Sequence, residues 1–171
     1  IDISADGEYI VAGTSSETVY LFGKDSSTPL WTYTSLDGSF NCISISSDGE
    51  YITVGSGDKN IYLFDKDSST PLWSYETDGH VSAVSISADG EYVVASGGGK
   101  IYLFDNDSST PLWNYSTGGA VHSISISADG EYITAGSTNF NTYLFGKDSS
   151  TPIWSYSTDA RVDAVSTSAD G

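Results

Sequence analysis

Short apolar runs separated by polar turns repeat along the whole chain. In the second repeat, residues 41–47 (NCISISS) alternate Ile with Ser, and residues 51–55 (YITVG) and 60–65 (NIYLFD) are rich in β-branched and aromatic side chains. A fourth run follows at residues 72–75 (LWSY). Gly, Asp, Ser and Pro lie between the runs, which is typical of β-strands joined by tight turns. We name the four predicted strands of a repeat A to D in chain order.

The turn between strands A and B has the motif S-[AS]-D-G and sets the repeat length. Its aspartates are Asp6, Asp48, Asp89, Asp129 and Asp170, at spacings of 42, 41, 40 and 41 residues. Four strands within a period of this length are typical of a β-propeller blade.

Strand C has two apolar faces, because Ile61 and Leu63 alternate with Tyr62 and Phe64. Each sheet must therefore be covered on both sides, as the blades of a propeller are by their neighbours. We predict an all-β fold: a β-propeller of four-stranded antiparallel blades, with about four blades present, as part of a larger seven- or eight-bladed ring.

The predicted blades are residues 1–37, 38–78, 79–118 and 119–159, and residues 160–171 form the first strand of a further blade. The chain begins at Ile1 rather than Met, and the same element opens it (IDISADG) and closes it (VSTSADG). We therefore expect a segment of a longer or composite propeller, with its ring completed by further blades or by a second copy.

Every repeat carries the same set of aromatic side chains inside its strands. The columns are Tyr9, Tyr51, Tyr92 and Tyr132; Tyr20, Tyr62, Tyr102 and Tyr143; Phe22, Phe64, Phe104 and Phe145; Trp31, Trp73, Trp113 and Trp154; and Tyr33, Tyr75, Tyr115 and Tyr156. Such rings could stack sugars or bases. Their fixed place within strands favours packing between blades instead.

Charge and cysteine content exclude several classes of protein. The 171 residues carry 23 Asp plus Glu against 6 Lys plus Arg, a net charge of −17. This argues against binding to nucleic acid and to anionic membrane surfaces. No apolar run approaches 18 residues, so we expect no membrane insertion. A single cysteine, Cys42, excludes an internal disulfide framework and a cysteine-cluster zinc site.

Two repeat families resemble this sequence. Residues 79–105 (GHVSAVSISADGEYVVASGGGKIYLFD) are similar to WD-repeat blades. Residues 62–75 (YLFDKDSSTPLWSY) resemble the pyrroloquinoline-quinone (PQQ)-type repeat, in which an Asp precedes a Trp by eight residues, as Asp65 precedes Trp73. The resemblance implies a propeller with tryptophan docking between blades. It departs at Gly23 and Gly146, which replace that Asp, and it implies little about activity.

The two ends of the blades differ in how much their loops vary between repeats. The A–B and C–D turns are nearly identical in all repeats, and we call their end the uniform face. The B–C and D–A loops vary, and we call their end the variable face. The variable D–A positions, which we take as candidate binding residues, are Ser39, His80, Ala120 and Arg161 in one column and Asn41, Ser82, His122 and Asp163 in another. Either this face binds a partner near the mouth of the central channel, or its loops drift without constraint.

Specific chemistry is sparse in the sequence. Arg161 could bind a carboxylate, but pairing with Asp163 is favoured. The series Asp65-x-Asp67-x-Ser69 resembles a calcium loop, yet turn formation by Asp and Ser explains it without a metal. No nucleophile-elbow motif or paired-histidine metal spacing is present. We therefore assign no catalytic residue, no metal site and no cofactor.

The sequence favours a non-enzymatic scaffold or interaction module, exported or at the cell surface, that binds a protein partner through the variable face. Two N-x-S triplets, at Asn106 and Asn114, permit glycosylation and give weak support for an extracellular location. One alternative is an enzyme or sensor whose propeller binds a small ligand or a quinone cofactor. Another is an accessory domain of a larger chain.

Overall fold

The computed structural model describes residues 1–35 and 38–171 and places them in four antiparallel sheets of four consecutive strands each. Blade 1 contains β1 (Asp2–Ile3), β2 (Tyr9–Gly13), β3 (Thr18–Gly23) and β4 (Trp31–Thr34). Blade 2 contains β5 (Phe40–Ile45), β6 (Tyr51–Ser56), β7 (Asn60–Asp65) and β8 (Trp73–Glu76). Blade 3 contains β9 (Val81–Ile86), β10 (Tyr92–Gly97), β11 (Lys100–Asp105) and β12 (Trp113–Ser116). Blade 4 contains β13 (Val121–Ile126), β14 (Tyr132–Ser137), β15 (Asn141–Gly146) and β16 (Trp154–Ser157).

The predicted all-β propeller architecture is confirmed. The described residues contain no helix, and therefore none long and apolar enough to cross a membrane. Among these residues, the four sheets do not close into a ring. The predicted boundary at residue 37 lies outside the described residues.

Three apolar cores lie between successive blades, one at each interface. The two faces of β7 show the principle, because Tyr62 and Phe64 belong to the core shared with blade 1 and Ile61 and Leu63 to the core shared with blade 3. All four side chains are buried. A single blade would expose both of these apolar faces, so its stability depends on its neighbours.

A tryptophan from strand D docks each blade onto the next. The indole Nε1 of Trp31, Trp73 and Trp113 donates to the carbonyl oxygen of Lys66, Asn106 and Lys147, at 2.7, 2.6 and 2.6 Å respectively. The same rings lie 5.5, 5.3 and 5.4 Å, centroid to centroid, from Phe64, Phe104 and Phe145. One side chain thus supplies both apolar contact and a directed hydrogen bond, and the docking implied by the PQQ-type resemblance is confirmed.

The S-x-D-G turns join the blades at the uniform face through backbone hydrogen bonds. The amide of Ala5 donates to the Ser47 carbonyl at 3.0 Å, and the same bond runs from Ser47 to Ala88, from Ala88 to Ala128 and from Ala128 to Ala169. All four bonds point in the same direction along the chain.

The glycine of this turn has two reasons to be conserved between the repeats. Gly49 has a φ of 77°, which disfavours side chains with a Cβ. A Cβ added there would also lie 2.5 Å from Cδ2 of Tyr9, a ring of the preceding blade. The turn and the blade interface therefore impose the same residue.

Two of the turn carboxylates, those of Asp6 and Asp129, are stabilised in their charged form by hydrogen bonds. Asp129 Oδ1 accepts from Ser127 Oγ at 2.5 Å and from the amide of Glu131 at 3.1 Å, and these hydrogen bonds, that of Ser127 first, lower the pKa of Asp129. The pKa of Asp6 is lowered in the same way, first by its hydrogen bond from Ser4. Folding therefore favours loss of a proton at these positions.

Residues 160–171 follow the path of an inner strand beside blade 4. The amides of Val165 and Thr167 donate to Ser123 Oγ at 3.0 Å and to Ser125 Oγ at 3.2 Å. The amide of Val162 donates to the Ser137 carbonyl at 3.3 Å. Within the described part of the chain no strand pairs with this segment, which has no assigned strand of its own.

We predict that Trp73→Phe lowers the free energy of unfolding by about 1 kcal/mol, because it keeps an aromatic ring but loses the hydrogen bond to Asn106. Trp73→Ala should cost about 3 kcal/mol, since it also empties part of the interface. Leu72→Ala, at an exposed neighbour, should change stability by less than about 0.5 kcal/mol. Urea unfolding of the three variants measures these differences. Equal losses of unfolding free energy for Trp73→Phe and Leu72→Ala would contradict the docking role of Trp73.

We also predict acid sensitivity from the turn aspartates Asp6 and Asp129. Because their pKa values are lowered in the folded state, their contribution is complete above about pH 4, the unfolded value, and is lost as the pH falls through the lower folded value. Asp129→Asn keeps an acceptor oxygen but cannot titrate, so its denaturation midpoint should fall less steeply below about pH 4 than that of the unsubstituted chain. The matched control is Asp107→Asn, which makes the same change of charge at an exposed side chain.

Candidate functional site

An open cleft of about 680 Å³ lies at the variable face, between blades 3 and 4. Four of the eight candidate binding residues line it, namely His80, Ser82, Ala120 and His122. The remaining walls come from the B–C loop of blade 3 and the D–A loop that leads into blade 4. Their residues are Gly98, Gly99, Lys100, Ser116, Gly118, Gly119 and Val121.

Glycine forms the cleft walls because neighbouring loops approach each other closely. Gly98 and Gly99 have φ values of 62° and 78°, in the left-handed region. A Cβ on Gly98 would lie 2.7 Å from the backbone carbon of Asp78, and one on Gly119 would lie 2.9 Å from the Asn139 amide nitrogen. The cleft therefore exposes peptide backbone where other repeats present side chains.

The cleft carries little net charge although the chain is strongly acidic. None of its described lining residues is Asp or Glu. The ammonium group of Lys100 lies 2.6 Å from Oδ2 of Asp78, and its pKa is raised by the hydrogen bond to that carboxylate and by the attraction of its charge. The imidazole of His122 is exposed, whereas Nδ1 of His80 hydrogen-bonds the carbonyl of Gly57 in the preceding blade.

Two of the candidate residues have a structural role that the sequence did not reveal. Nδ2 of Asn41 donates to the Val81 carbonyl at 3.3 Å, and Oγ of Ser82 donates to the Val121 carbonyl at 2.7 Å. Each bond joins the start of one inner strand to the start of the next. Asn41 and Ser82 thus make equivalent hydrogen bonds with different side chains. Part of the sequence variation in this column is therefore structural and gives no information about a binding partner.

Three further candidates lie outside the cleft lining, Ser39 in the loop that leads into blade 2 and Arg161 and Asp163 in the segment that follows blade 4. Oγ of Ser39 donates to Asn41 Oδ1 at 3.2 Å, away from the cleft lining. The favoured pairing of Arg161 with Asp163 is present, with 2.9 Å between Nε and Oδ1. Both side chains are well exposed, so this ion pair contributes little to stability.

A half-buried acid in a B–C loop, Asp58, was missed by the sequence analysis. The carboxylate of Asp58 accepts from the hydroxyl of Tyr62 at 2.6 Å, from Ser35 Oγ at 3.2 Å and from the amide of Asn60 at 2.7 Å. Burial acts to raise the pKa of Asp58, but the hydrogen bonds from Tyr62 and Asn60 lower it overall. Burial, followed by the bond to Asp58, raises the pKa of Tyr62.

The same tyrosine column is satisfied differently in other blades. Nδ2 of Asn139 donates to the hydroxyl of Tyr143 at 2.9 Å, and the hydroxyl of Tyr102 accepts from the amide of Asp78 at 3.4 Å. The loops around these tyrosines differ in sequence because each provides a different hydrogen-bonding partner for the tyrosine hydroxyl. A sequence pattern alone shows the varying residue types but not the shared hydroxyl.

The described residues form neither a metal site nor a reactive thiol. They contain no group of three or more His, Cys, Asp or Glu side chains that could hold a metal ion. Oδ1 of Asp65 accepts from the amide of Asp67 at 2.8 Å, a contact by which an Asp side chain stabilises a tight turn. Burial raises the pKa of the Cys42 thiol to about 12, so it is not a reactive thiolate at neutral pH.

We predict that Ser82→Ala lowers the free energy of unfolding by about 1 kcal/mol, because the Val121 carbonyl loses a hydrogen bond between blades. His122→Ala, its neighbour in the cleft with an exposed ring, should change it by less than about 0.5 kcal/mol. Chemical denaturation of both variants measures the contrast. A larger effect at His122 would contradict this division into structural and available side chains.

Comparison with known protein families matches residues 4–169 to the family model described as outer membrane protein assembly factor BamB. The matched span covers nearly the whole chain. Comparison with curated proteins gives no match.

Proposed function

The chain belongs to the family of the outer membrane protein assembly factor BamB, and from this premise we propose that it is a non-enzymatic scaffold that binds a protein partner through its variable face. The family description names an assembly factor, which supports a role in protein interaction. It is also compatible with a cell-envelope location, and we propose that the chain works outside the cytoplasm, at the cell surface.

The cleft between blades 3 and 4 is the observation that carries this proposal. It gathers four of the residues at which otherwise similar repeats differ, and its described lining lacks acidic side chains on a chain with a net charge of −17. The exposed ring of His122 offers hydrogen-bonding groups to an incoming peptide segment, and the glycine loops, which lack side chains, allow that segment to approach closely. The surrounding negative field attracts a basic partner at long range, and the cleft then accepts a neutral segment.

The alternative of a small-ligand or quinone-binding propeller finds less support. A volume of about 680 Å³ is within the range of small-molecule pockets. Such pockets are lined mainly by apolar and aromatic side chains. Here the walls are glycine backbone, serine, histidine and lysine, with Ala120 and Val121 as the apolar side chains.

Site-specific photocrosslinking in the native cells tests the proposal. A photoreactive phenylalanine in place of His122 should give a discrete protein adduct. The same group in place of Thr110, exposed at the uniform face of blade 3, should not. Adducts at both positions, or at neither, would contradict binding through the variable face.

A thermal-shift measurement with pyrroloquinoline quinone and calcium examines the alternative. We expect no change in the unfolding midpoint of the chain. A midpoint raised by several degrees by the quinone, and restored by His122→Ala, would replace the scaffold proposal with a cofactor-binding function.

A further inference from the structure

The two ends of the four-blade arc expose the two halves of the interface that joins its blades. At the blade 4 end, Trp154 is 47% and Tyr156 is 69% exposed, whereas the equivalent rings Trp113 and Tyr115 are half-buried against blade 4. At the blade 1 end, Phe22 is partly exposed, whereas its equivalents in blades 2 to 4 are 0% exposed.

The blade 1 end already has the form of an acceptor for a docking tryptophan. The rings of Tyr20 and Phe22 are stacked at 6.0 Å, as those of Tyr143 and Phe145 are at 6.0 Å in blade 4. The C–D turn that follows is GKDSSTP in both blades. The carbonyl of Lys24 therefore holds the place of the Lys147 carbonyl, which accepts from Trp113.

The inner strands show the same complementarity. β1 pairs with β2 through only two residues, Asp2 opposite Val11 and Ile3 opposite Ile10, and Ile3 is 55% exposed. The equivalent strand of blade 3 pairs with β10 from Val81 to Ile86, with one irregularity at Ser82. Residues 162–168 lie against blade 4 in the place of such a strand and, within the described chain, have no strand to pair with.

The repeat register fixes how this segment would pair with β2. By equivalence with blade 3, where Val84 lies opposite Ala95 and Ile86 opposite Val93, Val165 falls opposite Ala12 and Thr167 opposite Ile10. Ser166 then occupies the position of Asp2, whose carboxylate accepts from the Ile45 amide at 3.1 Å. A serine does the same work elsewhere, since Ser85 Oγ accepts from the Ile126 amide at 3.4 Å.

We propose that two copies of this chain join head to tail into one closed eight-bladed ring. Blade 4 of each copy docks on blade 1 of the other, with Trp154 donating to the Lys24 carbonyl and stacking on Phe22. Residues 164–167 of each copy pair with β2 of the other in place of β1. The interface continues one that the chain builds three times within itself, from the same columns of residues. Because each junction joins unlike ends, a second copy closes both at once.

The mass of the 171-residue chain in solution is the first test. Light scattering at about 50 μM, a concentration at which micromolar dimers are populated, should give twice the 18.1 kDa of one chain. A monomer would overturn the proposal and leave further blades of a longer chain as what covers the two ends. Trp154→Phe should raise the dimer dissociation constant about 30-fold, since both junctions lose a hydrogen bond.

Charge substitutions test the head-to-tail direction. Trp154→Glu and Phe22→Glu should each give monomers, because every junction then contains one altered end. Mixing the two variants should restore dimers, since one junction joins two unaltered ends. Dimers of the Phe22→Glu variant alone would indicate blade 4 packed on blade 4 and overturn the proposal.

Deletions test the strand exchange without altering any aromatic ring. Removal of residues 162–171 should abolish the dimer, whereas removal of residues 1–3 should leave it intact or strengthen it. Circular dichroism of both variants should retain the β signal of the four blades. The opposite pattern, with the dimer dependent on residues 1–3, would contradict the pairing with β2.

Discussion

The contact between one blade and the next is the constraint on which the rest of this structure depends. A sheet whose strand C is apolar on both faces, as at Ile61 and Tyr62, cannot be stable alone. The indole of strand D stabilises the interface through a ring contact and through a hydrogen bond to a carbonyl about 34 residues further along the chain. Because the bond has a direction, the blades stack in only one order. The close approach of the Gly49 turn to Tyr9 and the turn-to-turn hydrogen bonds follow the same order.

Variation between near-identical repeats has two sources in this chain. Some variable residues satisfy a fixed structural demand in different ways, as Asn41 and Ser82 do for a neighbouring carbonyl, or Asp58 and Asn139 for a tyrosine hydroxyl. Others, such as His122 and Ala120, face an open cleft. Only the residues that face the cleft inform on partner recognition. The two kinds of variable residue can be separated only in the structure, because both appear simply as variable positions when the loops are aligned.

The fold could be predicted from the sequence because period, strand alternation and ring position are local patterns that repeat. Tryptophan docking followed from the resemblance to the PQQ-type repeat, and the ion pair of Arg161 with Asp163 followed from their proximity in the sequence. The role of Asn41 could not, because its acceptor lies in the next blade and its equivalents have different side chains. The cleft could not be predicted for another reason. Its walls are peptide backbone at Gly98 and Gly99, and a sequence does not show where the backbone of a glycine is exposed.

The turn-to-turn hydrogen bonds from Ala5 through Ser47, Ala88 and Ala128 to Ala169 give the array a polarity, like that of a filament subunit. Each turn donates forward and accepts from behind, so an open array has one unused donor end and one unused acceptor end. Polar arrays of this kind either close or grow. The curvature set by the blade interface therefore decides between a particle of fixed size and an indefinite fibre, and substitutions that flatten the blade angle would favour polymerisation even where each blade remains folded.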